Sequence, residues 1–366
     1  MGTGPYRATE FKAGDIITYE PNPNFRGDQP YFDRIELKGG GDAVSAGRAV
    51  LQTGGADFGW NIQAEPAVIQ SLEAGGKGRM EYVFKPLMER ILLNFSDPNQ
   101  EVDGQRSHAE TSHPFLTDKR VRQAISLAID RDTIVKQLYG PAGQVATNFI
   151  VAPQKYVSPN TRYEFNLDKA KALLAEAGWV DSNGNGIRDQ NGVEMNLLFQ
   201  TSVNPVRQKT QEVIKQNLAA LGMQVELKSV DPSIYFGDPA NPDSANTFYA
   251  DLQMFAFDSE TPEPDSYMNL YACDAIAQKE NQWSKENISR YCNSEYDQLL
   301  TQLRRELDPD RRQQLFIQLN DLLIEDVAVI PLVHRSDALA VSNSLSNVEF
   351  SPWAATTWRV NDWGRQ

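Results

Sequence analysis

The chain has 366 residues, 40% of them apolar, 10% aromatic and 23% charged. It exceeds the ~250–300 residues at which one hydrophobic core stops growing, so two lobes are expected rather than a single small module. Lys and Arg number 35 against 49 Asp and Glu, and the net charge of −14 argues against nucleic acid as a partner.

The first hundred residues read as short strands and turns. Residues 15–19 are apolar-rich, Asn22-Pro-Asn breaks the run, and 32–37 alternates before Gly39-Gly-Gly. Asp42 can cap a helix through Leu51 that stops at Gly54-Gly55, with another strand-like stretch at 57–62. The segments Tyr82-Val-Phe-Lys-Pro and Ile91-Leu-Leu-Asn-Phe suggest two more strands, and the polar segment 96–112 reads as a long surface connection. A lobe boundary is placed there, near residue 100.

Beyond it the period turns helical. Thr117 or Asp118 can cap a helix whose Val121, Ala124, Ile125, Ala128 and Ile129 share one face, a short helix spans 132–139, and 167–177 is amphipathic with Gly178 as its stop. Met195, Leu197 and Phe199 alternate as a strand, Val213, Ile214, Leu218 and Leu221 mark a helix, and Met223, Val225 and Leu227 alternate again. This is a βαβ unit, expected to be parallel and right-handed. Helices at 294–305 and 309–325 precede the strand 327–333, and the last thirty residues return to short strands and turns. The run 327–333 is the longest strongly apolar one, far short of the ~20 residues that cross a bilayer.

Catalytic signatures are scarce. The opening Met1-Gly-Thr-Gly-Pro-Tyr-Arg lacks a basic segment followed by an apolar one, so no secretory signal is read there. Gly39-Gly-Gly-Asp42 lacks the Lys-Ser/Thr of a P-loop and reads as a turn. The cysteines, Cys273 and Cys292, and the histidines, His108, His113 and His334, are too few for a zinc cluster, and no Gly-x-Ser-x-Gly elbow occurs. The loop from Asp181 to Asp189 places oxygen-bearing side chains at Asp181, Asn183, Asn185 and Asp189 with Gly186 between them, like the front half of a calcium loop. Gly192 stands where the closing Glu belongs, so a structural calcium and a plain Asx-rich turn both fit. After the apolar segment 252–257 comes an acidic loop, Asp258-Ser-Glu-Thr-Pro-Glu-Pro-Asp265, stiffened by Pro262 and Pro264. It fits either a solvated loop or a cation receptor.

Several stretches resemble one family: Gly2-Thr-Gly-Pro-Tyr, Asn22-Pro-Asn-Phe-Arg-Gly, Leu173-Leu-Ala-Glu-Ala-Gly-Trp, Asn293-Ser-Glu-Tyr-Asp-Gln-Leu-Leu, and above all residues 114–131, Pro114-Phe-Leu-Thr-Asp-Lys-Arg-Val-Arg-Gln-Ala-Ile-Ser-Leu-Ala-Ile-Asp-Arg. Together they are similar to the extracytoplasmic solute-binding proteins of family 5, which deliver peptides and other solutes to ABC importers. The resemblance implies an α/β, two-lobed periplasmic-binding-protein-like fold (type II, cluster C-like), with 1–100 and 336–366 in lobe one and 101–335 in lobe two. Because the Gly2 stretch lies well inside the mature relatives, it also implies an incomplete lobe one and a full-length form that is periplasmic or on the cell surface.

The function implied is capture of an oligopeptide or similar solute by a monomer that is not an enzyme, needs no cofactor and hands its ligand to permease subunits. Asp258 matches the aspartate that receives a peptide's amino terminus in peptide-binding members, with Asn281 and Trp283 as further ligand contacts. Export to an oxidising compartment, which the family implies, makes a disulfide between Cys273 and Cys292 expected. The alternative is a secreted, calcium-dependent glycan-binding protein or glycoside hydrolase using Asp258, Glu260, Glu263 and Asp265 as carboxylates.

Overall fold

The computed structural model describes residues 2–39, 41–259 and 261–366. They form two compact units, one made of the chain up to Lys85 with Tyr139–Ala142 and Ser336–Gln366, the other of Pro86–Leu138 and Gly143–Arg335. Among the described residues no helix is long and apolar enough to cross a membrane.

In the first unit Tyr6–Lys12, Ile16–Pro21 and Ile35–Lys38 form an antiparallel sheet. Asp42 caps the helix Ala43–Arg48 by accepting from the Ser45 amide, and the helix runs on as a wider turn to Thr53, where Gly54 takes a left-handed φ of 68°. Val50, Leu51, Ile62, Ile69, Leu72 and Ala340 make a small core.

The second unit is a mixed sheet covered by helices. Gln224–Val230 pairs in parallel with Asn196–Ser202, which pairs in parallel with Leu252–Asp258. Leu252–Asp258 then pairs antiparallel with the 87–93 part of Gly78–Leu93. Val329–Ser342 is next in the sheet, with Gly143–Val145 on its flank. The helix Pro205–Ala219 links the two parallel strands of the expected βαβ unit. Its start lies eight residues before the apolar pattern begins at Val213, because Asn204 accepts from the Val206 and Arg207 amides and Pro205 occupies the first turn, where no amide is needed. Asp308 and Pro309 start the helix Pro309–Glu325 in the same way.

Two features depart from the sequence reading. The two strands expected after Tyr82 are one strand of 16 residues, Gly78–Leu93. Pro86 removes one donor from it, yet its carbonyl still accepts from the Ser259 amide at 3.2 Å. The chain leaves the first unit inside this strand, between Lys85 and Pro86, rather than near residue 100. The polar segment 96–112 is exposed around its hairpin at 101–106 and at Ala109, Glu110 and Ser112, as a surface connection would be, but it is anchored in the core at several points. Ser96, Gln105, Ser107, His108 and Thr111 are buried, because the Asn94 amide donates to Ser107 Oγ and to the Phe248 and Ala250 carbonyls while its oxygen accepts from Ser96. A polar run can be core when its groups satisfy one another.

Candidate ligand-binding site

Of the three parallel strands of the second unit, two end level with each other at Ser202 and Val230, and the third runs three residues further to Asp258. The carboxyl ends of parallel strands are where open α/β sheets receive ligands, because the connecting loops diverge there. This end of the sheet exposes apolar side chains. Val203, Ile234, Phe236 and Phe257 are all at least 41% exposed, Ile234 and Phe236 being carried by the short helix Pro232–Tyr235 and its cap, after Asp231.

Alternation along Leu252–Asp258 sends its residues to opposite faces. Phe255 stands opposite Arg90 and Phe257 opposite Met88, whereas Ala256 stands opposite Glu89 and Asp258 opposite Leu87. Asp258 therefore shares a face with Glu89. That carboxylate is fully buried and accepts from Arg207 Nε at 2.8 Å and from Arg335 Nη1 at 2.8 Å. Burial would raise its pKa, but the two guanidinium groups hold it below the usual glutamate value. On the opposite face Arg90 lies among Phe149, Phe255, Phe257 and Tyr267, and its Nη1 donates to the Tyr267 hydroxyl at 3.2 Å. Burial pushes the Tyr267 hydroxyl above its ordinary pKa, Arg90 opposes the rise, and the Asp258 charge adds to it.

The acidic loop is locally fixed. The Ser259 amide is held by the Pro86 carbonyl, Thr261 Oγ1 donates to the Glu263 carbonyl at 2.6 Å, and Glu263 accepts from Arg312 Nε at 2.5 Å. Asp265 accepts from the Ser266 amide. Of the four acids proposed for a hydrolase, Glu260 lies outside the described residues. Glu263 is committed to Arg312, so the paired-carboxylate arrangement finds no support.

Asn281 and Trp283 belong to a different element, the segment between Cys273 and Cys292, which are joined by a disulfide with Cα atoms 4.7 Å apart. The Asn281 amide is spent inside that segment, donating to the Ile276 carbonyl and accepting from the Gln278 amide. Trp283 packs on the core of the second unit, its carbonyl accepts from Asn246, and its indole N–H has no acceptor among the described residues. In the loop proposed for calcium, Asp181 accepts from the Gly184 and Gly186 amides and Asp189 from the amide and hydroxyl of Ser182. Glu194, two residues past the position expected for a closing Glu, accepts from the Asn183 and Asn185 side chains. No group of three or more His, Cys, Asp or Glu side chains fit to hold a metal occurs among the described residues.

Sequence reasoning missed Glu89, Arg90 and the exposed rings. A signal existed, since Glu89-Arg90 are two charged residues inside the otherwise apolar run from Leu87 to Leu93, and charges are buried there only when partnered.

The oligopeptide-binding protein AppA of Bacillus subtilis is 26% identical over 360 residues, covering 96% of this chain and 60% of its own length. Its structure in complex with a nonapeptide matches with a TM-score of 0.79 over 99% of this chain and 66% of that one. A dipeptide-binding protein of Pseudomonas aeruginosa is 27% identical, covering 97% of this chain and 60% of its own length. NikZ from Campylobacter jejuni, in complex with Ni(L-His), shares the fold at 20% identity, with a TM-score of 0.81 over 100% of this chain and 68% of that one. The α/β architecture is thus that of the periplasmic binding proteins, and the chain spans about 60% of the length of these curated relatives. The model of the bacterial extracellular solute-binding proteins, family 5 Middle, matches residues 1–278, and the chain belongs to that family of solute-binding proteins.

Proposed function

We propose that the chain is part of the substrate-binding component of an ABC importer, that it captures an oligopeptide, and that Asp258 receives the peptide's amino terminus. The observation that carries this reading is the position of Asp258 at the end of the outer of three parallel strands, where the sheet turns antiparallel, next in sequence to the exposed ring of Phe257. The relatives described as oligopeptide- and dipeptide-binding proteins support the ligand class. In this reading the protein is a monomer outside the cytoplasm, catalyses nothing, needs no cofactor and passes its ligand to permease subunits.

Asp258 is well suited to an ammonium group. Its backbone is fixed on one side by the strand and on the other by the Ser259 amide, and Pro262 and Pro264 stiffen the rest of the loop, so little order is lost on binding. Truncating one partner of such a charge pair costs about 2–5 kcal/mol. Calorimetry with a free-amine pentapeptide and its N-acetylated form tests the assignment. The parent is expected to prefer the free amine strongly and Asp258→Asn to lose that preference. An unchanged preference would show that the amine is met elsewhere.

A further inference from the structure

We propose that the disulfide between Cys273 and Cys292 is a site of thiol–disulfide exchange, entered at Cys292 by a small dithiol, and that it clasps a segment poised to open, so that reduction lets residues 274–291 leave the fold and carries Arg290 into water. The inference is independent of the peptide-binding reading above.

The segment is costly to hold. Arg290 is 5% exposed, and no carboxylate pairs with it among the described residues. Its Nη groups donate to the carbonyls of Ile288, Asn246 and Thr247, while its Nε has no acceptor there. Burial pushes its pKa down to about 9, opposed only by the neighbouring Tyr249. At neutral pH the guanidinium therefore stays charged, and carbonyl dipoles replace only part of the water it has lost. The indole N–H of Trp283 is a second buried donor without an acceptor among the described residues. Gln282, Trp283 and Arg290 take φ of 56°, 51° and 60°, the left-handed region that disfavours a residue with a Cβ.

What holds the segment in return is modest. Its buried apolar side chains are Ala275, Ala277, Ile288 and Tyr291, and its regular structure is limited to two short turns, Cys273–Ala275 and Lys279–Asn281. Gln278 and Lys279 bond to Ala109, Gln105 and Asp103 around the hairpin at 101–106. Asn287 ties the two ends, its Nδ2 donating to the Ala272 and Tyr291 carbonyls. The disulfide runs beside that tie and keeps the Cα atoms 4.7 Å apart. Cutting it frees the ends of the open segment while the buried cation remains to be relieved.

The bond is also within reach. Cys292 is exposed, whereas Cys273 is half-buried and its amide donates to Asp297 Oδ1 at 3.1 Å. One thiolate of the dithiol attacks the Cys292 sulfur, the S–S bond breaks, and Cys273 leaves as a thiolate that takes up a proton. The second thiol attacks the mixed disulfide, closes the reagent's own disulfide and releases the Cys292 thiol. Two electrons and two protons thus pass from the dithiol to the protein, and no other reactant is needed.

The test is hydrogen exchange over minutes, read by mass spectrometry on the full chain with and without millimolar dithiothreitol, with free thiols counted in parallel. Both cysteines are expected to appear as thiols under native conditions. Exchange across 274–291 should then become about tenfold faster or more, with the hairpin at 101–106 following, while the helix Pro309–Glu325 keeps its protection. Cys273→Ser with Cys292→Ser should reproduce the open segment without the reagent. Reduced Arg290→Met, which has no cation to release, should stay within about threefold of the oxidised parent. Should Arg290→Met fail to fold, Arg290→Gln, which keeps donors for the carbonyls, is read in the same way. The inference is overturned by a bond that resists the dithiol in the folded chain, by a segment as protected reduced as oxidised, by exchange that quickens equally in the helix, or by a reduced Arg290→Met that opens as far as the parent. None of these outcomes touches the peptide-binding reading, which calorimetry tests separately.

Discussion

Glu89 and Arg90 are neighbours in one strand, both buried, and the two faces of the sheet treat them differently. On one face Glu89 is neutralised by ion pairs to Arg207 and Arg335. On the other, Arg90 is surrounded by four rings. An ion pair is directional and costs dearly when one member goes, because the other stays buried and uncompensated. A cation among rings is held diffusely, by contacts of ~0.5–2 kcal/mol each, and its removal leaves no charge behind. The first arrangement ties three segments of the second unit together, while the second leaves a buried cation whose guanidinium carbon is 5.2 Å from the Phe257 ring centre.

Breaking each arrangement separately gives the largest expected effects. Glu89→Ala removes the carboxylate that two buried guanidinium groups share and is expected to lower the unfolding free energy by about 3–5 kcal/mol. Arg90→Met, in which an apolar chain replaces the cation among apolar neighbours, should stay within ~1 kcal/mol of the parent. Urea unfolding followed by intrinsic fluorescence measures both. Equal losses would mean that the ring-lined cation is as structural as the ion-paired carboxylate.

A covalent tie in the same unit supplies a scale for these numbers. The bond between Cys273 and Cys292 spans a sequence separation of 19, and closing such a loop is worth about 3 kcal/mol in the chain-entropy account. Reduction with a thiol should therefore lower the melting temperature by several degrees, about as much as the milder end of the Glu89→Ala range. An unchanged melting temperature would show that the segment is held by its own hydrogen bonds, such as those of Asn281 and Asn287.

Acid probes the ion pairs without mutation and more gently. The pKa of Glu89 is lower folded than its ordinary value of 4.5, so the unfolded chain takes up its proton first as the pH falls. The stability from this group is complete above about pH 4.5 and is lost as the pH drops through the lower folded value. Glu89→Gln removes that dependence. The difference in unfolding free energy between parent and variant should be constant near neutrality and shrink in acid, and a difference independent of pH would place the titration elsewhere.

The sequence shows some of this clearly. Alternation at Met195, Leu197 and Phe199 and again at Met223, Val225 and Leu227, with a helical period between, is enough to reveal the parallel βαβ unit. Asp258 stands out because it closes an apolar run before two prolines. Other features have no local signature. The exposure of Phe257 depends on what stands over the strand end, and an exposed Phe reads in sequence as a core Phe. The burial of Ser96 and Ser107 within the polar segment 96–112 goes with Asn94 reaching carbonyls of Phe248 and Ala250, more than 150 residues away. The strand through Pro86 reads as two because a proline ends most strands, and only its carbonyl partner explains why this one continues.

The smallest expected effect comes from a region where polar groups face one another without a buried charge, the exposed loop 181–189 with Glu194. Its carboxylates already accept from backbone amides and a hydroxyl, and Glu194 accepts from Asn185 Nδ2 at 2.7 Å. A calcium ion takes 6–8 oxygens at about 2.3–2.6 Å, so it would need Glu194 to leave the asparagine amides and the asparagine oxygens to turn inward. With the oxygens engaged in these hydrogen bonds, calcium in the millimolar range is expected to leave the melting temperature where magnesium leaves it. Even a site with the ~10⁻⁴–10⁻³ M affinity of extracellular modules would add up to about 1.4 kcal/mol at 1 mM calcium, a shift of a few degrees and well within measurement. A rise in calcium alone that disappears in Asp181→Asn would put a cation in the loop and make the hydrogen bonds to Glu194 the resting state of a binding site.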